Sequence, residues 1–326
     1  MAAPRAATTA AEAASNFARD GLFWMRDVLS PSEIDVLKSA AAENFAEIAR
    51  TLLLQQALSA VTPTIKYAEV MARDGARFDC RQGANEEPMS TLLRPGGAAS
   101  KLISVLQRVL SPDSSVVALG QIVACPHDSW ADLMGDHLED GNDDLAEFGV
   151  QRWHTDGPPS SFAGGPGDAL TLFIPLVDLT LENGPTEYIL GSHRDGEEAQ
   201  AASGKRKSRS QTRRNVTILA PAGSVIAFDF KLLHRGLVNT LQSEDRPMLY
   251  AVVGKPIWTE DGRCMLPQLD GGGLSLFTGE AVPPIHERFV LGESVEASVA
   301  RAAAESAAEE PAIEVTGRGG RKRGRR

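Results

Sequence analysis

The chain has 326 residues, 42% apolar and 23% charged, proportions that exclude general disorder and a fibrous repeat and leave room for one large core. Its net charge is −10, and six of its 33 basic residues fall within the last nine positions, so the remainder sets 27 basic against 43 acidic residues, a net −16. An acidic body repels phosphate backbones, so the folded part is not expected to bind nucleic acid.

The first fifteen residues are alanine-rich and read as a flexible lead-in. Gly21–Leu29 (GLFWMRDVL) reads as a short strand, and Ser30-Pro31-Ser32-Glu33 then supplies an N-cap, a proline at the first helical position and a capping-box glutamate. The helix that follows carries Ile34, Leu37, Ala41, Phe45, Ile48 and Leu52 at steps of three or four, one apolar stripe turned to a larger body. Residues 62–115 mix Gly, Pro and charge, with one more helical pattern around Ala99–Leu110. From Val116 the chain becomes a series of short β-rich runs, at 116–124, 169–178, 186–190, 215–219, 224–230 and 248–254. The connections carry turn chemistry, Glu182-Asn183-Gly184-Pro185 and Pro221-Ala222-Gly223, and hold no crossover helices, so the strands are expected to be antiparallel, in a sandwich or barrel.

Two inserts, acidic at 127–147 and basic at 198–214, read as exposed loops. Beyond about Leu291 the composition turns Ala/Glu-rich and then basic, too poor in apolar residues to fold alone, and is expected to be disordered. Cys80, Cys125 and Cys264 stand far apart without a CxxC pair, which argues against a disulfide framework or a thiolate zinc site. No run of 18 apolar residues and no signal-type core is found. The expectation is a cytoplasmic protein with no membrane partner; the basic C-terminal run leaves a nuclear address open.

The sharpest local feature is Trp153-His154-Thr155-Asp156. On an extended chain residues i and i+2 share a face, so an imidazole and a carboxylate converge. Alone, an H-x-D is weak. A second histidine, His234, follows the run SVIAFDF, where an antiparallel neighbour would bring it beside the first two. Two imidazoles and one carboxylate on one side of a metal leave the opposite positions open, an arrangement suited to non-haem Fe(II). Arg246, twelve residues on at the head of RPMLYAVVG, would need an anion if it faced inward, and a dicarboxylate such as 2-oxoglutarate would satisfy its forked donors. The other reading leaves Arg246 exposed beside Glu244 and Asp245.

Residues 16–40 and 116–256 resemble the phytanoyl-CoA dioxygenase family of Fe(II)/2-oxoglutarate-dependent oxygenases. The likeness rests on FARDGLFWMRDVLSPSEIDVL, His154-Thr155-Asp156, ALTLFIPLVDLTLENGPTEYILGSHR, AGSVIAFDFKLLHRGLVN and Arg246. It implies a mainly β protein with helical support and a double-stranded β-helix (jelly-roll, cupin-like) core. The implied domain spans 16–290, with support over 16–115 and the core over 116–256. It further implies iron on His154, Asp156 and His234, the far carboxylate of 2-oxoglutarate on Arg246, and Thr171 as a second co-substrate contact. The chain departs from the family in having Leu190 where a proline precedes Gly191-Ser192-His193, and Gly236 where a small hydroxyl residue is common.

The implied reaction consumes dioxygen and 2-oxoglutarate, releases succinate and carbon dioxide, and hydroxylates a small-molecule or lipid-like substrate, with ascorbate as the reductant in assays. The intact Asp156 favours oxygenation over halogenation, in which chloride takes the carboxylate's place. Two other readings use the same residues. One is a zinc hydrolase on the same three ligands, the other a β-barrel binding protein without turnover. His193 reads as a structural residue, and His127, His137 and His286 as ordinary surface or capping residues. The basic insert reads as a solvated loop.

Overall fold

The computed structural model describes residues 4–58, 70–73, 76–82, 87–93, 98–110, 115–126, 150–156, 169–194, 214–254, 273–274, 281–282 and 289–290. The expectations for His127, His137, His286, Cys264, the acidic insert, nearly all of the basic insert and the tail beyond 291 lie outside these residues.

The N-terminal segment departs from the flexible lead-in expected through residue 15. Helix α1 (Ala10–Asp20) starts at Thr9, whose hydroxyl accepts the Glu12 N–H at 3.2 Å, while the Glu12 carboxylate accepts from the Thr8 N–H and hydroxyl at 2.8 Å each. Reciprocal bonds of this kind satisfy donors that a helix start leaves open. The alanines that suggest low complexity instead permit close approach: Ala7, Ala13 and Phe17 are buried in the core. The chain ahead of α1 is tied to strand β1 (Leu22–Met25) by the Ala7 N–H to the Trp24 carbonyl and the Trp24 indole N–H to the Pro4 carbonyl, both 2.8 Å. Between α1 and β1, Gly21 sits at φ 74°, and a Cβ there would lie 2.4 Å from His193 Nδ1. Only glycine suits both demands.

Helix α2 (Pro31–Leu58) begins as its sequence predicts. The Ser30 N–H and hydroxyl both donate to Glu33 Oε2, at 2.8 and 2.7 Å, and the Ser30 hydroxyl accepts the Glu33 N–H at 3.3 Å. Of its stripe, Leu37, Ala41, Phe45 and Ile48 are buried and Ile34 is partly so; the Leu52 side chain lies outside the described set. Strands β2 (Val70–Arg73) and β3 (Arg77–Arg81) form an antiparallel pair in the stretch whose sequence was least informative. Helices α3 (Met89–Leu93) and α4 (Ala98–Val109) follow.

The remaining strands are β4 (Ser115–Ala124), β5 (Ala169–Pro175), β6 (Thr186–Ile189), β7 (Asn215–Thr217), β8 (Val225–Asp229), β9 (His234–Gly236), β10 (Arg246–Gly254), β11 (Gly273–Leu274), β12 (Ala281–Val282) and β13 (Phe289–Val290). Every pairing is antiparallel. An eight-stranded sheet runs β1-β8-β5-β10-β4-β3-β2, with β13 also on β4, and a three-stranded sheet runs β7-β6-β9. This is the jelly-roll arrangement with helical support on one side.

Strand β5, ALTLFIP, is buried at every position, which requires cover on both faces. Leu170, Leu172 and Ile174 join the cluster that includes α1 and α4 residues, while Ala169 and Phe173 join Tyr188, Val216 and Phe228 between the two sheets. Phe228 of this second cluster lies against His234, their ring centroids 4.7 Å apart, so the cluster backs the candidate ligands. None of the described helices is long and apolar enough to cross a membrane.

Candidate metal centre

Residues 150–156 form no regular strand, yet they are extended and dock on β9. The N–H groups of His154 and His234 each donate to the other's carbonyl at 3.0 Å, the Asp156 N–H donates to the Phe230 carbonyl at 3.1 Å, and the Gln151 N–H donates to the Gly236 carbonyl at 3.0 Å. Position 154 is thereby placed opposite position 234, and their ring centroids are 4.4 Å apart. Outside the ladder, the Arg235 guanidinium stacks on Trp153 at 4.5 Å and pairs with Glu187 at 2.8 Å, clasping the segment to β9 and β6.

His154, Asp156 and His234 each offer a ligand atom within 4.8 Å of the others, the one such group among the described residues. Their chemistry fits a divalent metal. His154 Nδ1 lies 2.8 Å from the Arg152 carbonyl, and His234 Nδ1 lies 2.9 Å from the Leu232 carbonyl. A carbonyl can only accept, so both Nδ1 atoms carry the proton and Nε2 is the candidate ligand atom of each ring. His234 Nε2 is 3.3 Å from Asp156 Oδ1: two acceptors face each other, an arrangement that calls for a cation between them.

The other Asp156 oxygen, Oδ2, accepts the Thr171 hydroxyl at 2.6 Å. Burial alone would raise the Asp156 carboxyl, but the imidazoles, His234 foremost, and the Thr171 hydroxyl outweigh it and bring the pKa to about 2. Asp156 is therefore an anion across the working range. The expectation for Thr171 needs adjusting: its proton is committed to Asp156, so it cannot donate to a co-substrate at the same time.

Arg246 faces inward, 1% exposed, which decides against its surface reading. Its Nη2 donates to the Gly184 carbonyl at 2.9 Å, its Nε to the Asn183 carbonyl at 3.4 Å, and its Nη1 contacts Met248 Sδ at 3.6 Å. All three partners are neutral. Burial draws the guanidinium down to about 10, with the Tyr188 phenol and Cys125 opposing, so it remains a buried cation at neutral pH.

Two residues near this site, Arg77 and Tyr188, escape a reading of motifs. Gly236 leaves room for Arg77, because a Cβ at 236 would lie 2.6 Å from both Arg77 Nε and Gln151 Oε1. Arg77 and Arg246 flank Ala124 as its partners on β3 and β10, so both side chains share its face. Tyr188 pairs with His234 across β6 and β9 and is fully buried beside Phe228. The only sequence signal for it is a tyrosine at an alternate position of the short run TEYI. His193 is buried against Gly21 and lies outside the ligand group, as its structural reading expects.

A jelly roll that turns two imidazoles and a carboxylate into the space between its sheets defines a non-haem oxygenase-type enzyme. The phytanoyl-CoA dioxygenase (PhyH) family model matches residues 17–247, and the chain belongs to that family. Among solved structures, SnoN, an epimerase from nogalamycin biosynthesis in complex with Fe3+, alpha ketoglutarate and nogalamycin RO, is 19% identical, with a TM-score of 0.52 over 86% of this chain and 97% of that one. AviO1 from Streptomyces viridochromogenes Tue57 is 20% identical, with a TM-score of 0.51 over 77% and 97%. EctD from S. alaskensis with 2-oxoglutarate and 5-hydroxyectoine is 20% identical, with a TM-score of 0.50 over 81% and 80%. At these identities the likeness establishes the fold.

Proposed function

We propose that the protein is an Fe(II)- and 2-oxoglutarate-dependent dioxygenase that hydroxylates a small organic or lipid-like substrate, with succinate and carbon dioxide as co-products. The observation that carries this reading is the grouping of His154, Asp156 and His234, whose ligand atoms lie within 4.8 Å of one another while both Nδ1 atoms are turned to carbonyls. His154, Asp156 and His234 would hold the iron. Iron with 2-oxoglutarate and dioxygen supplies the oxidising power for insertion of oxygen into a C–H bond.

The protein's own residues bind and orient. Three protein ligands leave half of an octahedral metal's positions for co-substrate and dioxygen. Thr171 fixes the rotation of the Asp156 carboxylate, so one oxygen serves the metal and the other is occupied. The buried Arg246 cation supplies the anchor for a carboxylate distant from the metal, a need that a zinc hydrolase would not have. Phe173, Tyr188 and Phe228 line the interior with aromatic surface, which favours exclusion of bulk water.

The test is succinate formation from 2-oxoglutarate by protein supplied with Fe(II) and ascorbate. Slow turnover without a primary substrate is expected, abolished in His154→Ala. Unchanged turnover in that variant would refute the proposal. SnoN is named an epimerase and EctD is solved with a hydroxylated product, so a succinate-release screen across candidate metabolites followed by product analysis identifies substrate and reaction together.

A further inference from the structure

Resting on that reading, we propose that Tyr188 is a co-substrate-binding residue whose hydroxyl joins Arg246 in holding the distal carboxylate of 2-oxoglutarate, supplying the hydroxyl that position 236 lacks.

Position 236 cannot provide one. It lies two residues beyond His234 on the same face of β9, but a side chain there would run into Arg77 Nε and Gln151 Oε1, each 2.6 Å from its Cβ. Its glycine is further fixed by bonds in both directions with Gln151, whose Oε1 accepts the Gly236 N–H at 2.9 Å. Any hydroxyl in this part of the cavity must come from a neighbouring strand. Tyr188, on β6, is the direct partner of His234, so the two side chains leave the sheet on one face. Their ring centroids are 6.2 Å apart, and Phe228 lies against both, at 5.2 Å from Tyr188 and 4.7 Å from His234.

The Tyr188 hydroxyl is buried and makes no hydrogen bond, although the Thr186 side chain approaches it. A buried phenol without a partner is costly, and such orphans mark places where a ligand completes the network. A phenol is protonated at neutral pH, so its O–H can donate. Arg246 holds the Gly184 carbonyl, just ahead of β6, and contacts Met248, which belongs to the same buried cluster as Tyr188. Arg246 has five N–H donors and spends three contacts on two carbonyls and a sulfur. One carboxylate can accept from both the phenol and the remaining guanidinium donors. This pairs a neutral donor with a cation at one end of a linear dicarboxylate, leaving the keto-acid end for the metal.

The experiment is equilibrium binding of 2-oxoglutarate to anaerobic Fe(II)-loaded protein, followed by charge-transfer absorption, in wild type and Tyr188→Phe. The variant keeps the ring and its packing. The expected result is a Kd for 2-oxoglutarate raised at least about ten-fold, worth about 1.4 kcal/mol, with iron affinity unchanged. For 2-oxopentanoate, which lacks the distal carboxylate, wild type and variant should bind alike. Without co-substrate, Tyr188→Phe should melt no lower than wild type, since the lost oxygen had no partner. Equal 2-oxoglutarate affinity in the two proteins would overturn the inference, as would an equal loss for 2-oxopentanoate or a lowered melting temperature of the co-substrate-free variant. Failure of the wild type itself to bind 2-oxoglutarate would overturn the proposed function, and this inference with it.

Discussion

Thr171 Oγ1 donates to Asp156 Oδ2 across 2.6 Å, from the strand β5 to the extended segment beside β9. The bond ties a carboxylate on an irregular segment to the most thoroughly buried strand of the large sheet. Second contacts of this kind commonly govern metal affinity about 10- to 100-fold. Thr171→Val should weaken Fe(II) or Co(II) binding by about ten-fold, whereas Thr171→Ser, which keeps the donor, should stay near wild type. Metal titration of the three proteins decides it, and equal affinities would remove Thr171 from the site.

Arg246→Met should raise the 2-oxoglutarate requirement far more than the iron requirement, by about 100-fold if a charge-assisted pair worth roughly 3 kcal/mol is lost. The physical basis is that the guanidinium touches two carbonyls and a thioether but none of the three metal-directed atoms. Parallel losses in both requirements would show that Arg246 supports the fold instead.

Gly236→Ser should destabilise the protein by about 1–3 kcal/mol through overpacking, because its Cβ meets Arg77 Nε and Gln151 Oε1 at 2.6 Å. Adding Arg77→Ala clears one of the two collisions, so the double variant should recover part of the melting temperature lost by the single one. A Gly236→Ser protein as stable as wild type would contradict the close packing at β9.

Glu33 accepts from the Ser30 N–H and hydroxyl and lies near Lys101; these contacts, the Ser30 bonds foremost, lower its pKa below the ordinary 4.5. A depressed acid stabilises the fold above its unfolded pKa and loses that contribution as pH falls through the folded one. Urea midpoints of wild type and Glu33→Gln should therefore differ at pH 6, by about 1 kcal/mol or less for a capping contact at the surface. They should converge as the pH falls through the folded-state pKa of Glu33. A gap that persists in acid would assign the effect to packing.

Cys80 is fully buried, and burial, aided by the Asp79 charge, raises its thiol well above the ordinary value. It should resist alkylation in the native protein at neutral pH and react once urea unfolds the chain. Peptide mapping before and after unfolding checks this.

Much of the site was legible because period-two geometry is local: His154 and Asp156 share a face on any extended chain, and His234 follows an apolar strand run. The capping box at Ser30 was equally local. What escaped was relational. Strand β3 hides in a charged stretch because Arg77, Asp79 and Arg81 alternate with Phe78 and Cys80, and both sets are buried apart from a half-buried Arg81, so the alternation does not separate core from solvent. Strand β9 is three residues long and is defined by its partners. Tyr188 sits in a run, TEYI, that any sheet could contain; its unpaired oxygen exists only once β6, β9 and β10 are assembled. Thr171 was noticed from the likeness, but its bond to Asp156 was not, since nothing local tells which oxygen a buried hydroxyl will meet. The alanines before Asp20 look like low complexity until their helix has a surface to lie on.

His154 and His234 are separated by eighty positions yet grip each other through two main-chain bonds. A metal caught between their side chains would therefore act as a clamp on the long excursion of chain between them. Occupancy then becomes a conformational constraint as well as a chemical one, since any ion that favours the closed fold over the open chain adds its binding energy to folding. Chelation should accordingly loosen β9 and the 150–156 segment first, so protease nicking within this stretch would report the loss of iron before activity is ever measured.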